Sequence, residues 1–354
     1  MHTHPIPAGL STFQTAIRNA LEKSFSLENS PFDDITFWSD DVKTRLKEYA
    51  LQGKMLRGSL VPLSFSLFRP SVPVPQSCLD AGVVMEILQS FLLVHDDIMD
   101  QDELRRGMPS IHYQYQEIAP DRSASDRYGQ SMGICTGDVA AFFAVHLLSR
   151  LGVDAALKQR LIELVSREIL IVGLAQMQDV HHGYLENADP ASILEVYTYK
   201  TGRYTFSLPM QLGAMIAGAG EEEQKTLTRL GEHLGRIFQI RDDRLGILED
   251  TADTGKSVGG DVTENKQTLY RALLFNRIPP DDPVRTIFGK TGVTGEDMAQ
   301  IRTALEQHRV IADVDAVVQE EATLARQEIA ALGLADPEKA TLSDLLEYNL
   351  SRRR

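Results

Sequence analysis

Apolar residues recur at the period of an α-helix through most of the chain, as in AGVVMEILQSFLLVHDDIMD, RLIELVSREILIVGLAQMQDV and LTRLGEHLGRIFQIRDDRLGIL. Several of these stretches are apolar nearly all round rather than along one stripe, the pattern of a helix surrounded by other helices. The spacing therefore predicts an all-α chain folded as one large helical bundle. Strand-like alternation bounded by tight hairpin signals is scarce. Loops show in their turn residues: RPSVPVPQS at Arg69 to Ser77, APDRSASDRYG at Ala119 to Gly129, ENADPAS at Glu186 to Ser192 and IPPDDP at Ile278 to Pro283. No repeat, low-complexity tract or composition shift marks a linker. Residues 1–354 are thus expected to form a single domain with frayed ends, the SRRR tail among them.

The chain has 36 basic and 50 acidic residues, a formal net charge of −14. That balance argues against wrapping nucleic acid or adhering to an anionic membrane surface. An anionic substrate would need a local basic patch or bridging divalent cations. Cys78 and Cys135 lie in apolar helical patterns without CxxC spacing and read as two buried thiols, with no support for a disulfide or a zinc site. The N-terminal stretch has no basic region followed by an apolar one, and no uninterrupted apolar run approaches bilayer-spanning length. The expectation is a cytoplasmic protein without stable membrane insertion.

In LLVHDDIMDQDELRRG an apolar helix ends in Asp96, Asp97 and Asp100, followed by Arg105 and Arg106. Asp96 and Asp100 share one helix face a turn apart, while Asp97 points about a quarter turn away. Carboxylates so spaced suit Mg²⁺, which takes one or two of them, keeps some waters and completes its shell with substrate phosphates. The arginines supply planar forks for phosphate oxygens. The alternative is a solvated helix end whose arginines only neutralise Asp100, Asp102 and Glu103.

A second acid pair, Asp242 and Asp243, ends the run GRIFQIRDDRLG, but the position four on is Gly246 and Glu249 is too far along to substitute simply. This cluster is expected to offer fewer ligands and to bind metal less tightly. The connection DTADTGKSVGGDVTENKQTL follows, with Gly255, Gly259, Gly260, Lys256 and Lys266. It reads as a phosphate-binding lid or a mobile surface loop; it is not a P-loop, because the GxxxxGK[ST] spacing is absent and no strand precedes it.

With these pieces in place the sequence resembles the trans-isoprenyl diphosphate synthases, the polyprenyl synthetase family. DDIMDQDELRRGMPSIH is similar to that family's first aspartate-rich motif and FQIRDDRLG to the second, while QGKMLRG, AQMQD, YKTG and TGKSVGGDVTENKQTL resemble its other landmarks in order. Departures are Gln52, Gly58 in place of proline, Ala175, and Gly246 in place of the third aspartate. The resemblance implies an isoprenoid-synthase bundle around a central elongated cavity and a homodimer. It implies that isopentenyl diphosphate is joined to an allylic diphosphate (dimethylallyl, geranyl or farnesyl). Asp96, Asp100 and Asp242 would hold Mg²⁺, three ions with substrate bound. Arg105, Lys200, Lys256 and Lys266 would contact the allylic diphosphate, and Lys54, Arg57, Gln89 and Arg106 would bind isopentenyl diphosphate in a metal-free pocket. Thr201 and Gln239 would turn oxygen dipoles to the carbocation. No side-chain nucleophile is required.

Phe91, five residues before Asp96, and Leu92, four before it, would form the floor that sets chain length. An aromatic at the fifth position without an insertion in the motif resembles geranylgeranyl diphosphate synthases, with farnesyl or longer-chain synthases as alternatives; ordinary packing of Phe91 is the plain reading. Terpene cyclases lack the basic elements seen here, and a non-catalytic regulatory subunit would usually lack the first aspartates. His95, His112, His181 and His182 are expected in structural or surface roles, and Phe13, Trp38 and Met85 in the core.

Overall fold

A computed structural model describes residues 8–26, 32, 36–248 and 259–351. It is all-α, as the periodicity predicts. The helices are α1 (Ala8–Ser24), α2 (Thr36–Leu51), α3 (Leu56–Phe68), α4 (Gln76–Met99), α5 (Ile111–Glu117), α6 (Ser125–Ser149), α7 (Ala155–Gly183), α8 (Pro190–Val196), α9 (Leu208–Ala217), α10 (Glu221–Leu248), α11 (Gly260–Thr263), α12 (Leu269–Phe275), α13 (Gly295–Gln307), α14 (Val310–Ala331) and α15 (Asp336–Ser351). A π-helical segment, Tyr197–Ser207, joins α8 to α9. Among the described residues the strands are β1 (Leu104–Arg105) and β2 (Met108–Pro109), an antiparallel pair. The second loop ends earlier than its turn residues suggest, because α6 starts at Ser125 and takes in Gly129.

The backbone groups into two compact units, one holding Ala8–Leu164 and Pro209–Ala219, the other Val165–Leu208 and Gly220–Arg354. In the first, α4 is buried on nearly every side, including Val83, Val84, Met85, Ile87 and Leu88. Its approach to α3 is backbone to backbone: a Cβ on Gly82 would lie 2.6 Å from the Gly58 carbonyl oxygen and 2.5 Å from Ile17 Cδ1. Phe143 of α6 packs at a tilt against Phe25 and edge-on against Phe32, with ring centroids 5.4 and 5.1 Å apart.

In the second unit α10 turns Leu227, Leu230, Leu234, Ile237 and Ile240 inward. It meets the π-helical segment through glycines, since a Cβ on Gly235 would fall 2.0 Å from Gly202 Cα. α14 contributes Val314, Val318, Ala322 and Ala325 to the buried face. Its acids bind the basic residues of α10: Asp315 pairs with Arg241 and Arg244, and Glu321 with Arg236.

Several expectations are corrected. Cys78 is buried, its thiol pushed up to about 12 by desolvation, but Cys135 is exposed. The reason is that the outer face of α6 is itself apolar, with Ile134, Phe142 and Val145 in solvent, so an apolar pattern there does not mean burial. Trp38 is likewise exposed, edge-on to Phe37 and Tyr115, and Phe13 is only half-buried, while Met85 is core as expected. By length and composition two helical stretches, Gln76–Met99 and Arg122–Ser149, could cross a membrane, although scattered polar residues interrupt both. The first is mostly buried inside the protein.

The close α3–α4 approach yields a stability test. Gly82→Ala forces a methyl against the Gly58 backbone and should cost about 1–3 kcal/mol, as overpacking does. A lower urea midpoint at unchanged slope is the expected result, and a wild-type midpoint would show that α3 can withdraw freely.

Candidate active site

α4 ends at the first acid cluster. Asp96 is half-buried, Asp100 is exposed at the C-cap, and Asp97 between them is fully buried. Three acids at the negative end of a helix dipole are unfavourable without a counter-charge. For Asp97 the protein supplies it: the carboxylate accepts from the Tyr49 hydroxyl at 2.7 Å and from Arg105 Nε at 2.5 Å, with Arg105 Nη2 also in contact. Burial still raises the Asp97 carboxyl above its ordinary range, against the pull of Arg105 and Tyr49. Asp96 and Asp100 are left on the accessible face, a turn apart as the spacing predicts.

Arg105 also reaches Asp102, Nη2 to Oδ2 at 2.8 Å. It is thus held in place by two carboxylates through Nε and Nη2, and Nη1 is not used in those bonds. The guanidinium is carried by a hairpin whose two-residue turn is Arg106 (φ 55°) and Gly107 (φ 79°). Both central residues need positive φ, which is why glycine follows the arginine pair. Sequence reading missed this hairpin because the RRG triplet drew attention for its charge.

The turn lays Arg106 over the QGKMLRG segment: its Nη1 lies 3.2 Å from where a Cβ of Gly53 would be. Lys54 is exposed and Arg57 half-buried in the same segment. Arg18 of α1 fixes the segment's backbone, donating to the carbonyls of Leu51 and, at 2.8 Å, Gly53. Gln89 of α4 is half-buried, and its buried amide oxygen has no hydrogen-bond partner among the described residues. The structure therefore brings Arg106 together with the segment that carries Lys54 and Arg57.

In the second unit the pattern repeats. Asp242 is half-buried, whereas Asp243 is buried and accepts from the Tyr197 hydroxyl and, at 2.9 Å, from Gln239 Nε2. With its amide nitrogen on Asp243, Gln239 turns Oε1 to Thr201, whose hydroxyl donates to it at 3.0 Å. Thr201 and Lys200 lie in the π-helical segment, a rare geometry that recurs at functional sites. Lys200 pairs with Asp179 of the AQMQD landmark at 2.6 Å. Lys256, Gly255 and Glu249 lie outside the described residues.

Gly246 proves not to be a plain gap. A Cβ there would lie 2.3 Å from Asp261 Oδ2, so Asp261 places a carboxylate beside the position where a third aspartate would begin. Lys266 approaches the same carboxylate at 3.8 Å and is half-exposed. No sequence signal could have paired Gly246 with Asp261 across the intervening connection.

Phe91 is half-buried with its ring edge-on to His95, centroids 5.1 Å apart, and Leu92 is half-buried beside it. His95 presses into α6 at Gly137 and meets the Ile134 carbonyl at 3.2 Å. His112 and His182 are buried, bonded to Ser110 and to Gln178 and Ser192 respectively, and burial lowers both; His181 is exposed.

Among the described residues no three His, Cys, Asp or Glu side chains form a metal-holding group on their own. The donors come in ones and twos, a chemistry that fits Mg²⁺ completed by water and phosphate rather than a closed structural site.

Burial pushes the Asp243 carboxyl from 3.8 up to about 7, against the lowering pull of Lys266. The native protein then binds more protons than the unfolded chain between those values, so this group's contribution to stability falls as pH rises through that window. In metal-free protein, urea unfolding should show Asp243→Asn gaining on the wild type as pH is raised from about 4 to about 7. A constant difference would mean that Asp243 does not titrate there.

A sequence model of the polyprenyl synthetase family matches residues 40–306, a stretch that runs through both units. The geranylgeranyl diphosphate synthase of Sulfolobus acidocaldarius is 32% identical over 61% of this chain and 61% of its own length. The nonaprenyl diphosphate synthase of Mycobacterium tuberculosis is 31% identical over 77% of this chain and 75% of its own. The geranylgeranyl pyrophosphate synthase of Corynebacterium glutamicum, solved with isoprenyl diphosphate and magnesium, superposes with a TM-score of 0.88 at 27% identity, covering 98% of this chain and 99% of that one. Two acid clusters, an ordered basic set and a family match across three-quarters of the sequence together place this chain in the polyprenyl synthetase family.

Proposed function

We propose that this chain is a Mg²⁺-dependent trans-prenyltransferase that condenses isopentenyl diphosphate with an allylic diphosphate and stops at all-trans geranylgeranyl diphosphate. The observation that carries this reading is the repeated acid pair. In each, the inner aspartate is buried on a tyrosine, the outer one stays accessible, and arginine or lysine stands close by on a carboxylate of its own.

Asp96, Asp100 and Asp242 would hold the metal, three ions with substrate bound, which when present would supply positive charge to the departing diphosphate. Arg105, Lys200 and Lys266 donate to that same diphosphate, with Lys256 expected beside them. Their acid partners hold the cations in position before substrate arrives, so little reorganisation is needed when charge develops. Because Thr201 spends its proton on Gln239, its oxygen lone pairs are available to the allylic cation. Lys54, Arg57, Gln89 and Arg106 receive isopentenyl diphosphate without metal. The proton lost after attack goes to released diphosphate, and no side-chain base is required.

Phe91 and Leu92 close the product channel one to two turns below the metal clasp. Farnesyl or longer-chain products are the alternatives, and a regulatory subunit is disfavoured because Asp96 and Asp100 are present. The purified protein with Mg²⁺, isopentenyl diphosphate and farnesyl diphosphate should yield the twenty-carbon product, and no product above a chelated control would refute the activity. Asp96→Ala should abolish turnover. Phe91→Ala should lengthen the product, and an unchanged product would place the floor elsewhere.

The protein works in the cytoplasm as a homodimer. Support for the dimer is the row Ile134, Phe142 and Val145 on α6 and the row Leu170, Leu174 and Met177 on α7, all exposed at helical spacing. A second copy is the occupant that fits two apolar helix faces left exposed among the described residues of an acidic protein. Light scattering should give twice the chain mass of 39.4 kDa, falling toward the monomer in Phe142→Asp. A monomeric wild type would overturn the assignment.

A further inference from the structure

Arg271 of α12 is a buried cation that the proposed reaction does not touch. It lies just past the TGKSVGGDVTENKQTL landmark, in the second unit, and is only 3% exposed. Its guanidinium sits over the Phe275 ring, 4.0 Å from Cζ to the centroid, with the Phe288 ring at 5.6 Å. A guanidinium is weakly hydrated and stacks on aromatic faces, so it bears such burial better than an ammonium does. The oxygens it grips belong to side-chain amides and a backbone carbonyl, which makes it a clamp on chain segments.

Those bonds bracket Lys266. Nε donates to Asn265 Oδ1 at 3.1 Å and Nη1 to Gln267 Oε1 at 2.5 Å, so one planar group holds both neighbours of that lysine. Nη2 donates to the Glu186 carbonyl at 2.9 Å, in the connection that follows α7. Gln267 reaches the same connection: its Nε2 donates to the Leu185 carbonyl at 3.0 Å, and its Oε1 accepts from the Ala188 N–H at 3.2 Å. The turn 265–268 is thereby fastened to the end of the helix whose Asp179 holds Lys200.

The fastening matters because of what the turn carries. Asn265 adopts φ 55°, and the Lys266 N–H donates to the Asp261 carbonyl at 2.9 Å. The Lys266 ammonium itself is held loosely, 3.8 Å from Asp261 Oδ1. A lysine on a loose turn would lose backbone as well as side-chain freedom on meeting an anion; on a clamped turn only side-chain freedom remains to be lost.

We propose that Arg271 is a positioning residue for Lys266, holding in place the turn that presents its ammonium to the allylic diphosphate. The inference rests on the reading of Lys266 as a contact of that diphosphate. Arg271→Lys keeps the charge, but a single ammonium cannot span the three oxygens that the guanidinium fork reaches.

The test is a double-mutant cycle on the full chain with Mg²⁺, in which calorimetry reads the affinity for farnesyl thiodiphosphate, an allylic analogue slow to ionise. Arg271→Lys should weaken binding by up to about tenfold, the scale of ordering one residue's backbone. Added to Lys266→Gln, it should cause no further loss. Equal weakening in both backgrounds would show that Arg271 acts on the subsite as a whole and overturns its role through Lys266. Unchanged binding in Arg271→Lys, with Lys266→Gln weakened, overturns the inference and leaves the diphosphate contact standing. Wild-type affinity in Lys266→Gln overturns that contact and the inference with it. Should Arg271→Lys fail to fold, Asn265→Gly takes its place in the cycle, since glycine keeps the positive φ and removes one of the two acceptors beside Lys266. Weaker binding only where Lys266 is present then supports the proposal, and any other pattern overturns it.

Discussion

Burial of the inner aspartate in each acid pair is the constraint on which the site depends. Asp97 and Asp243 are each removed from water and each accept a tyrosine hydroxyl. A buried carboxylate left without donors costs several kcal/mol, so Tyr49 and Tyr197 are required rather than incidental. With the inner acid fixed, the outer acid of the pair is turned to the accessible side. The same inner acids hold further groups, Arg105 in one unit and the Gln239 amide in the other. One arrangement thus aims a carboxylate outward and locks a second polar group beside it.

The cations are placed by the same logic. Lys200 stands on Asp179, Lys266 near Asp261, Arg105 on Asp97 and Asp102. In an acidic protein of net charge −14 such pairing keeps long flexible side chains from collapsing onto surface acids. These pairs add little to stability where exposed. Their value lies in orientation, because a cation already held in place loses less rotamer freedom in any further contact.

What the sequence makes readable is local. Asp96 and Asp100 can be placed on one face because a helix fixes the relation of residues four apart. The all-α class follows from periodicity for the same reason. What is hidden is set by contacts distant in the chain. Tyr49 reaches Asp97, and Tyr197 reaches Asp243, across stretches with no intervening signal, and Asp261 meets Gly246 only after the backbone has returned. The outer face of α6 misled for a different reason: an apolar residue left in solvent and one already in the core look alike, so Cys135 read as buried. Gly58 stood out as a departure from the family pattern, yet its purpose appears only with Glu86 beside it, whose Oε1 accepts from the Gly58 N–H at 2.7 Å.

Within the first unit, α4 ties several of these features together. It carries Glu86 and Gln89, then Phe91 and Leu92, and the acids Asp96 to Asp100 at its C-terminal end. At a rise of about 1.5 Å per residue, Phe91 and Asp96 are separated by roughly 7.5 Å along one rigid axis. Side-chain size at Phe91 and Leu92 can therefore vary without moving Asp96 or Asp100. The glycine contacts that seat α4 on α3 leave no space for the helix to slide, so the positions of Gln89, Phe91 and Asp96 are fixed by packing at Gly58 and Gly82.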